Sequence, residues 1–200
     1  MFLSNAYFQG ELYLPNLKRS AGTVGVAAVL QVIGAGTLEW YIDRYEREFL
    51  DRMLGPKLAE NFVEAYSEYP VLTADGYPVV DGVQDLVFAG KEENRIWVDL
   101  YHEIFRRWND SWFSPAANYV YYWICRRGRT QTSMNGEVRG LSDYTEVAAD
   151  TNKLVKVWND MIPMVARVRE FVMDHGEDYI PYSDSCMCKY QFKPMNVWNL

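Results

Sequence analysis

Residues 114–128, SPAANYVYYWICRRG, restrict the fold more than any other stretch of the chain. Ser114 suits a helix N-cap, and Pro115 suits the first helical position, where its missing N–H is no loss. Val120, Tyr121 and Ile124 form one face, while Tyr119, Tyr122 and Trp123 fill the remainder. A helix apolar nearly all round is either a membrane span or the centre of a bundle. Its length of about twelve residues falls short of the roughly 20 that a bilayer takes, so it is expected at a bundle centre. Rings that stack on nucleic-acid bases sit on exposed sheets or grooves with a basic surround. Rings on a helix that needs burial are read as core.

The covering helices are legible as well. Thr37 is an N-cap, followed by Leu38, Tyr41, Ile42, Tyr45, Phe49 and Met53 at three-and-four spacing. Asp43 with Arg47, and Glu48 with Arg52, stand at i,i+4 on its outer face. Gly55-Pro56 ends this helix and opens the next, which carries Leu58, Phe62, Ala65, Tyr66 and Tyr69 and stops at Pro70. Trp97, Leu100, Ile104 and Trp108 predict a further amphipathic helix. The last helix, capped by Ser142, runs through Val147, Thr151, Leu154, Trp158, Met161, Val165, Val168 and Val172 to Gly176. Pro163 lies off that stripe and predicts a kink with the missing hydrogen bond facing outward.

The fold class expected is therefore mainly α: a helical bundle with a long kinked C-terminal helix, a small β-hairpin-like flap, and extended N- and C-terminal arms. Residues 1–22 form the N-terminal arm, 23–176 the helical domain, and 177–200 an aromatic tail. Residues 23–33 are apolar and β-branched, and read equally as strand or short buried helix. The flap or insertion spans 69–92, where YPVLTADGYPVVDG repeats Tyr-Pro-Val around an Asp-Gly turn. Its acids lack calcium-loop spacing and read as solvated turn carboxylates. The tail keeps Tyr179, Tyr182, Tyr190, Phe192 and Trp198 without periodicity, and is expected to lie on a surface of its own or of a neighbour.

Composition narrows the function classes. An apolar fraction of 49% excludes a disordered chain, and a net charge of −7 disfavours a general nucleic-acid coat or a polybasic membrane binder. Three cysteines, Cys125, Cys186 and Cys188, argue against a disulfide framework. The beginning of the sequence lacks the basic and apolar regions of a signal peptide, and TVGVAAVLQVIGAG is too short to span a membrane. A soluble, intracellular chain is expected, and the Asn109-Asp110-Ser111 sequon carries no weight there.

Candidate chemistry is thin. Gly34 and Gly36 suggest a dinucleotide loop, but Glu39 stands where the third glycine belongs and no βαβ unit follows. His102-Glu103 starts a zinc-protease motif that Arg106 breaks, and His175 reads as a cation at a helix C-terminus. Cys186 and Cys188 are too close in sequence, and with Cys125 too few, for a thiolate zinc site. No enzymatic activity, cofactor or metal is expected.

The segment after the aromatic helix differs. Residues 126–140 hold Arg126, Arg127, Arg129 and Arg139 against one acid, Glu137, beside Thr130, Gln131 and Thr132. Such a charge reversal in an acidic chain suits an acidic partner surface or passing phosphates. The alternative is a solvated loop whose arginines complement the helix dipole.

Four stretches carry a family resemblance: FLSNAYFQGELYLPN, IDRYEREFLDRMLG, SPAANYVYYWICRRGRTQT with the following NGEV, and the VWNDMI of the last helix. Together they resemble the head–tail connector (adaptor) proteins of tailed phages and prophages, especially the version found in phages of gut bacteria. The resemblance implies a structural virion protein whose helical protomers assemble into a twelve-fold ring beneath the portal, continuing the DNA channel towards the tail. It implies further copies, the portal protein and tail or other connector proteins as partners. DNA would pass without specific binding, and no membrane is involved. The location implied is the head–tail junction of the virion, with assembly in the host cytoplasm. Arg126, Arg127, Arg129, Thr130, Gln131 and Thr132, with 135–138, match the family's polar loop and are assigned to subunit or portal contact. So are Tyr190, Phe192 and Trp198 of the tail. TVGVAAVLQVIGAG and the flap depart from the family pattern. The alternative function is a non-catalytic nucleic-acid-binding helical protein using the Arg126–Arg139 loop.

Overall fold

The computed structural model of the chain describes residues 2–14, 37–67, 95–108, 111–128, 130–133, 136–139, 147–183 and 192–196; of those between 128 and 151 it describes the backbone alone. The expected flap, the 23–33 segment and the Ser142 cap lie outside the described residues. The protein is mainly helical: α1 (Leu38–Leu54), α2 (Pro56–Ser67), α3 (Arg95–Ile104), α4 (Pro115–Gly128), α5 (Val147–Asp174) and the single turn α6 (Gly176–Tyr179). Two short antiparallel ribbons complete it, β1 (Arg106–Trp108) with β2 (Ser111–Phe113), and β3 (Thr130–Ser133) with β4 (Gly136–Arg139).

Helix α4 is central, as its composition requires. Every residue from Pro115 to Tyr122 is buried, and α4 packs between α1 and α5 while the turn Gly10–Leu12 lies against it. The Ser114 hydroxyl accepts from the Ala116 N–H at 3.2 Å and starts the helix as predicted. Tyr119 sits within 5.4 Å of Phe49 on α1 and 5.9 Å of Trp158 on α5, and Tyr122 within 4.7 Å of Trp158 (ring centroids). A fully buried ring of this size stabilises by roughly 2–3 kcal/mol. Asn118, the one polar residue in this buried stretch, donates from Nδ2 to the Val157 carbonyl of α5 at 3.0 Å. Its amide thereby avoids a desolvation cost comparable to what one ring contributes.

Helix α1 begins on Thr37, whose hydroxyl accepts from the Trp40 N–H, and ends on Gly55, whose φ of 87° only glycine adopts without strain. Pro56 then opens α2 at once. On the outer face Glu48 pairs with Arg52 as expected, while Arg47 pairs one turn on, with Asp51. Arg169 of α5 forks onto the last carbonyls of α1, donating Nε to Met53 O at 3.1 Å and Nη2 to Arg52 O at 3.0 Å. Those carbonyls have no intrahelical partner, and the guanidinium supplies one.

Three features differ from the sequence reading. Trp108 is not the last residue of a helix: α3 stops at Ile104, and 106–108 pair with 111–113, the turn-favouring Asn109-Asp110 standing between them in sequence. The first residues of the expected aromatic tail are helical; Tyr179 donates to the Ile96 carbonyl at 2.7 Å and Tyr182 lies 5.0 Å from Trp97, covering α3. Finally, the N-terminal arm is not a free extension. Phe2, Leu3, Tyr7 and Phe8 are all buried, and Phe2 stacks on Phe62 at 4.9 Å and Phe105 at 5.2 Å.

One carboxylate holds that segment. Glu46, 5% exposed on α1, accepts from the Phe2 N–H with both oxygens at 2.9 Å and from the Leu3 N–H at 2.7 Å. Residues 2–3 lack a helix or sheet to satisfy these donors, so the side chain replaces the missing secondary structure. Burial pushes the Glu46 carboxyl above its ordinary range, and the two N–H groups pull it back.

Glu46→Ala removes the carboxylate that accepts from both buried N–H groups and is expected to lower unfolding free energy by about 3 kcal/mol in urea titration. Because the folded value is raised, ionisation of Glu46 opposes folding. The stability of wild type relative to Glu46→Gln should therefore be greatest below the ordinary value of 4.5 and fall as pH rises through the folded value. A difference that is flat, or that grows with pH, contradicts this.

Candidate functional site

Two surfaces contain the residues singled out from sequence. The first lies where α4 emerges from the core. Its last turn carries Arg126 and Arg127, both exposed, and both guanidiniums fold back over aromatic rings. Arg126 lies 5.5 Å from the Trp123 ring and donates Nη1 to the Tyr122 hydroxyl at 2.5 Å. Arg127 lies 5.4 Å from the Tyr45 ring. Tyr45 and Trp123 are themselves stacked, 5.5 Å apart and 5° from parallel.

A third cation completes the group. Arg44 of α1 sits 5.8 Å from Tyr45 and 5.6 Å from Trp40, whose indole is 45% exposed. Sequence reasoning missed Arg44 because it is remote in the chain; only the antiparallel packing of α1 on α4 brings it alongside. None of the three arginines forms an ion pair among the described residues. The result is a cationic, aromatic surface on a chain of net charge −7. The guanidiniums lie over ring faces while staying at the surface.

Beyond α4 the expected polar loop is a two-stranded ribbon. Thr130 pairs with Arg139, Gln131 with Val138, Thr132 with Glu137 and Ser133 with Gly136. The signal was present: β-branched threonines are followed by Asn135-Gly136, a turn-favouring pair. Arg129 lies outside the described residues.

The second surface is the seat of the C-terminal segment. Of the three tail residues assigned to contacts, Tyr190 and Trp198 lie outside the described residues. Phe192 packs on the chain's own core, 5.5 Å from Phe49, 6.1 Å from Tyr119 and 6.0 Å from Trp158, with the Arg169 guanidinium 6.0 Å from its ring. Residues 192–196 have no regular secondary structure and lie against α5. Trp158 donates Nε1 to the Lys193 carbonyl at 2.9 Å. Asn159 meets the Met195 backbone twice, donating to its carbonyl at 3.0 Å and accepting its N–H at 2.9 Å.

The remaining candidates dissolve into structure. Glu103 binds Arg106 and lies 3.6 Å from Arg167, the contacts of a surface ion pair. His175 closes α5, its Nδ1 2.9 Å from the Phe171 carbonyl. Cys125 is a half-buried free thiol, and Cys186 and Cys188 lie outside the described residues. Among the described residues no group of three or more His, Cys, Asp or Glu is placed to hold a metal ion. Nor is any helix there long and apolar enough to cross a membrane. Two tyrosine hydroxyls are held above their ordinary range by burial: Tyr119, which also donates to Glu48 at 2.8 Å, and Tyr179.

Comparison with protein-family models, with curated proteins and with solved structures finds no match to this chain.

Because the arginines lie over rings at the surface, each contributes only about 0.5–1 kcal/mol to the fold. The triple variant Arg44→Ala, Arg126→Ala, Arg127→Ala should keep the helical circular dichroism of wild type and lose no more than about 3 kcal/mol of stability. A collapse of the fold would make these residues structural rather than a surface available for binding.

Proposed function

We propose that the chain is a structural subunit of a head–tail connector ring, docking to a portal and continuing the DNA channel towards the tail, without enzymatic activity. The observation that carries this reading is the placement of its most specific stretch, SPAANYVYYWICRRGRTQT. Pro115 to Tyr122 are buried in the protomer core, whereas Arg126 and Arg127 are exposed and a two-stranded ribbon follows them. A two-stranded ribbon is marginal by itself in water, and it gains most from a surface laid against it. The neighbouring arginines favour an acidic surface. The net charge of −7 suits a channel wall along which DNA slides, since a basic lumen would hold phosphates through counterion release. The twelve-fold symmetry, the portal partner and the location in the virion rest on the resemblance.

Sizing by light scattering, alone and with a tailed-phage portal protein, tests the proposal: a ring, or a complex with portal, is expected. A protein that stays monomeric and never associates with portal would remove it. The cationic surface also supports the second reading, a nucleic-acid-binding helical protein. That reading requires DNA affinity that falls steeply with salt. Replacing Arg44, Arg126 and Arg127 by alanine should then flatten the salt slope by about one for each phosphate no longer neutralised. Weak binding unchanged by the triple substitution dismisses it.

A further inference from the structure

We propose that the cationic, ring-backed surface of Arg44, Arg126 and Arg127 docks the acidic end of a second copy of this chain, formed by the last turn of α5 and by α6. This inference rests on the ring reading above and names the contact between its subunits.

The two regions lie at opposite ends of the bundle. Helix α4 runs antiparallel to α1, since Tyr45 stacks on Trp123 while Phe49 meets Tyr119. It runs antiparallel to α5 as well: Asn118 bonds the Val157 carbonyl, and the Lys153 ammonium lies 5.2 Å from the Tyr121 ring. The arginines therefore share an end with the first half of α5. The last turns of α5 stand at the other end, where Arg169 holds the final carbonyls of α1. From Lys153 to Asp174 the helix advances roughly 30 Å, at about 1.5 Å per residue.

The chemistry of the two ends is complementary. Residues 170–182 hold four acids, Glu170, Asp174, Glu177 and Asp178, and no lysine or arginine. All four are exposed, and none forms an ion pair among the described residues. Among them in sequence stand two large apolar side chains, Met173, 66% exposed, and Ile180, 67% exposed. Glu170, Met173 and Asp174 fall at the spacing of one helix face. At the cationic end the exposed Trp40 lies beside Arg44. Arginine, tryptophan and methionine are the side chains enriched where proteins meet. An acidic end that only met water would gain nothing from exposing Met173 and Ile180.

Within one chain these charges cannot neutralise each other. Roughly 30 Å is several Debye lengths at physiological ionic strength, where that length is about 8 Å. Only another molecule brings opposite charge to either end. In a chain of net charge −7 most surfaces repel a like copy, and the meeting of these unlike ends is the orientation that turns repulsion into attraction. Arg126 and Arg127 are already held over Trp123 and Tyr45, which lowers the cost of ordering them in the contact.

Charge reversal in the full-length protein, read by sedimentation velocity, tests the contact. Arg44→Glu with Arg126→Glu and Arg127→Glu makes both ends acidic; Asp174→Lys with Glu177→Lys and Asp178→Lys makes both ends basic. Each triple variant alone should associate at least about tenfold more weakly than wild type. Mixed in equal amounts they should recover association, since each end of one meets its opposite on the other. All six substitutions in one chain should restore self-association as well, whereas a variant that had only lost its fold would do neither. Wild-type association should weaken as sodium chloride is raised. Variants that assemble like wild type, a mixture as weak as its components, or association indifferent to salt overturns the contact. So does a wild type that stays monomeric yet binds a DNA oligonucleotide through the three arginines. If wild type forms a ring that the reversals leave intact, the ring stands and only this contact falls. Wild type that binds a portal protein but never self-associates keeps the connector reading and removes the contact; wild type monomeric even with portal removes both.

Discussion

Helix α4 has no polar face until its last turn, and that constraint organises the rest of the protein. Burying Pro115 to Tyr122 on every side takes more than two neighbouring helices. α1 and α5 cover two sides, the N-terminal turns lie against another, and Phe192 fills the gap between Phe49, Tyr119 and Trp158. Segments without regular secondary structure thus become part of the core. Their apolar side chains are needed there, although their backbones bring unsatisfied polar groups with them.

That second problem is solved by individual side chains. Glu46 takes the N–H groups of Phe2 and Leu3, Asn159 and Trp158 take the backbone of 193–195, and Arg169 takes the last carbonyls of α1. Each does what a strand or helical turn would otherwise do. Asn118 does the converse, a buried side chain satisfied by a helix carbonyl. These polar contacts are local and specific, whereas ring packing is spread over many partners. They therefore set where each irregular segment lies, and the rings set how much burying it is worth.

The same arrangement separates stability from interaction. The aromatics of α4 are consumed inside the protomer, and the arginines that follow them are displayed on the stacked Tyr45–Trp123 pair. Arg44, Arg126 and Arg127 thus form a cationic, ring-backed surface on an acidic chain. Residues 192–195 are held by Trp158 and Asn159 of α5 and by the rings around Phe192.

Taken by itself, the sequence determined where α1 and α4 begin and where α1 gives way to α2. Thr37, Gly55-Pro56 and Ser114-Pro115 act through backbone geometry within a few residues, and the stripes of α1 and α5 follow from a period of 3.6, so these features needed no knowledge of the fold. The central position of α4 was legible for the same reason: a helix without a polar face has nowhere else to go. Only the tertiary structure decided that Arg44 joins Arg126 and Arg127, that Glu46 is a buried clasp rather than a surface acid, and that Phe192 closes the core. Each depends on residues distant in sequence: Arg44 is brought in by the packing of α1 on α4, and Glu46 and Phe192 meet segments from other parts of the chain. The pattern of one helix records which of its faces is buried, and not which partner buries it.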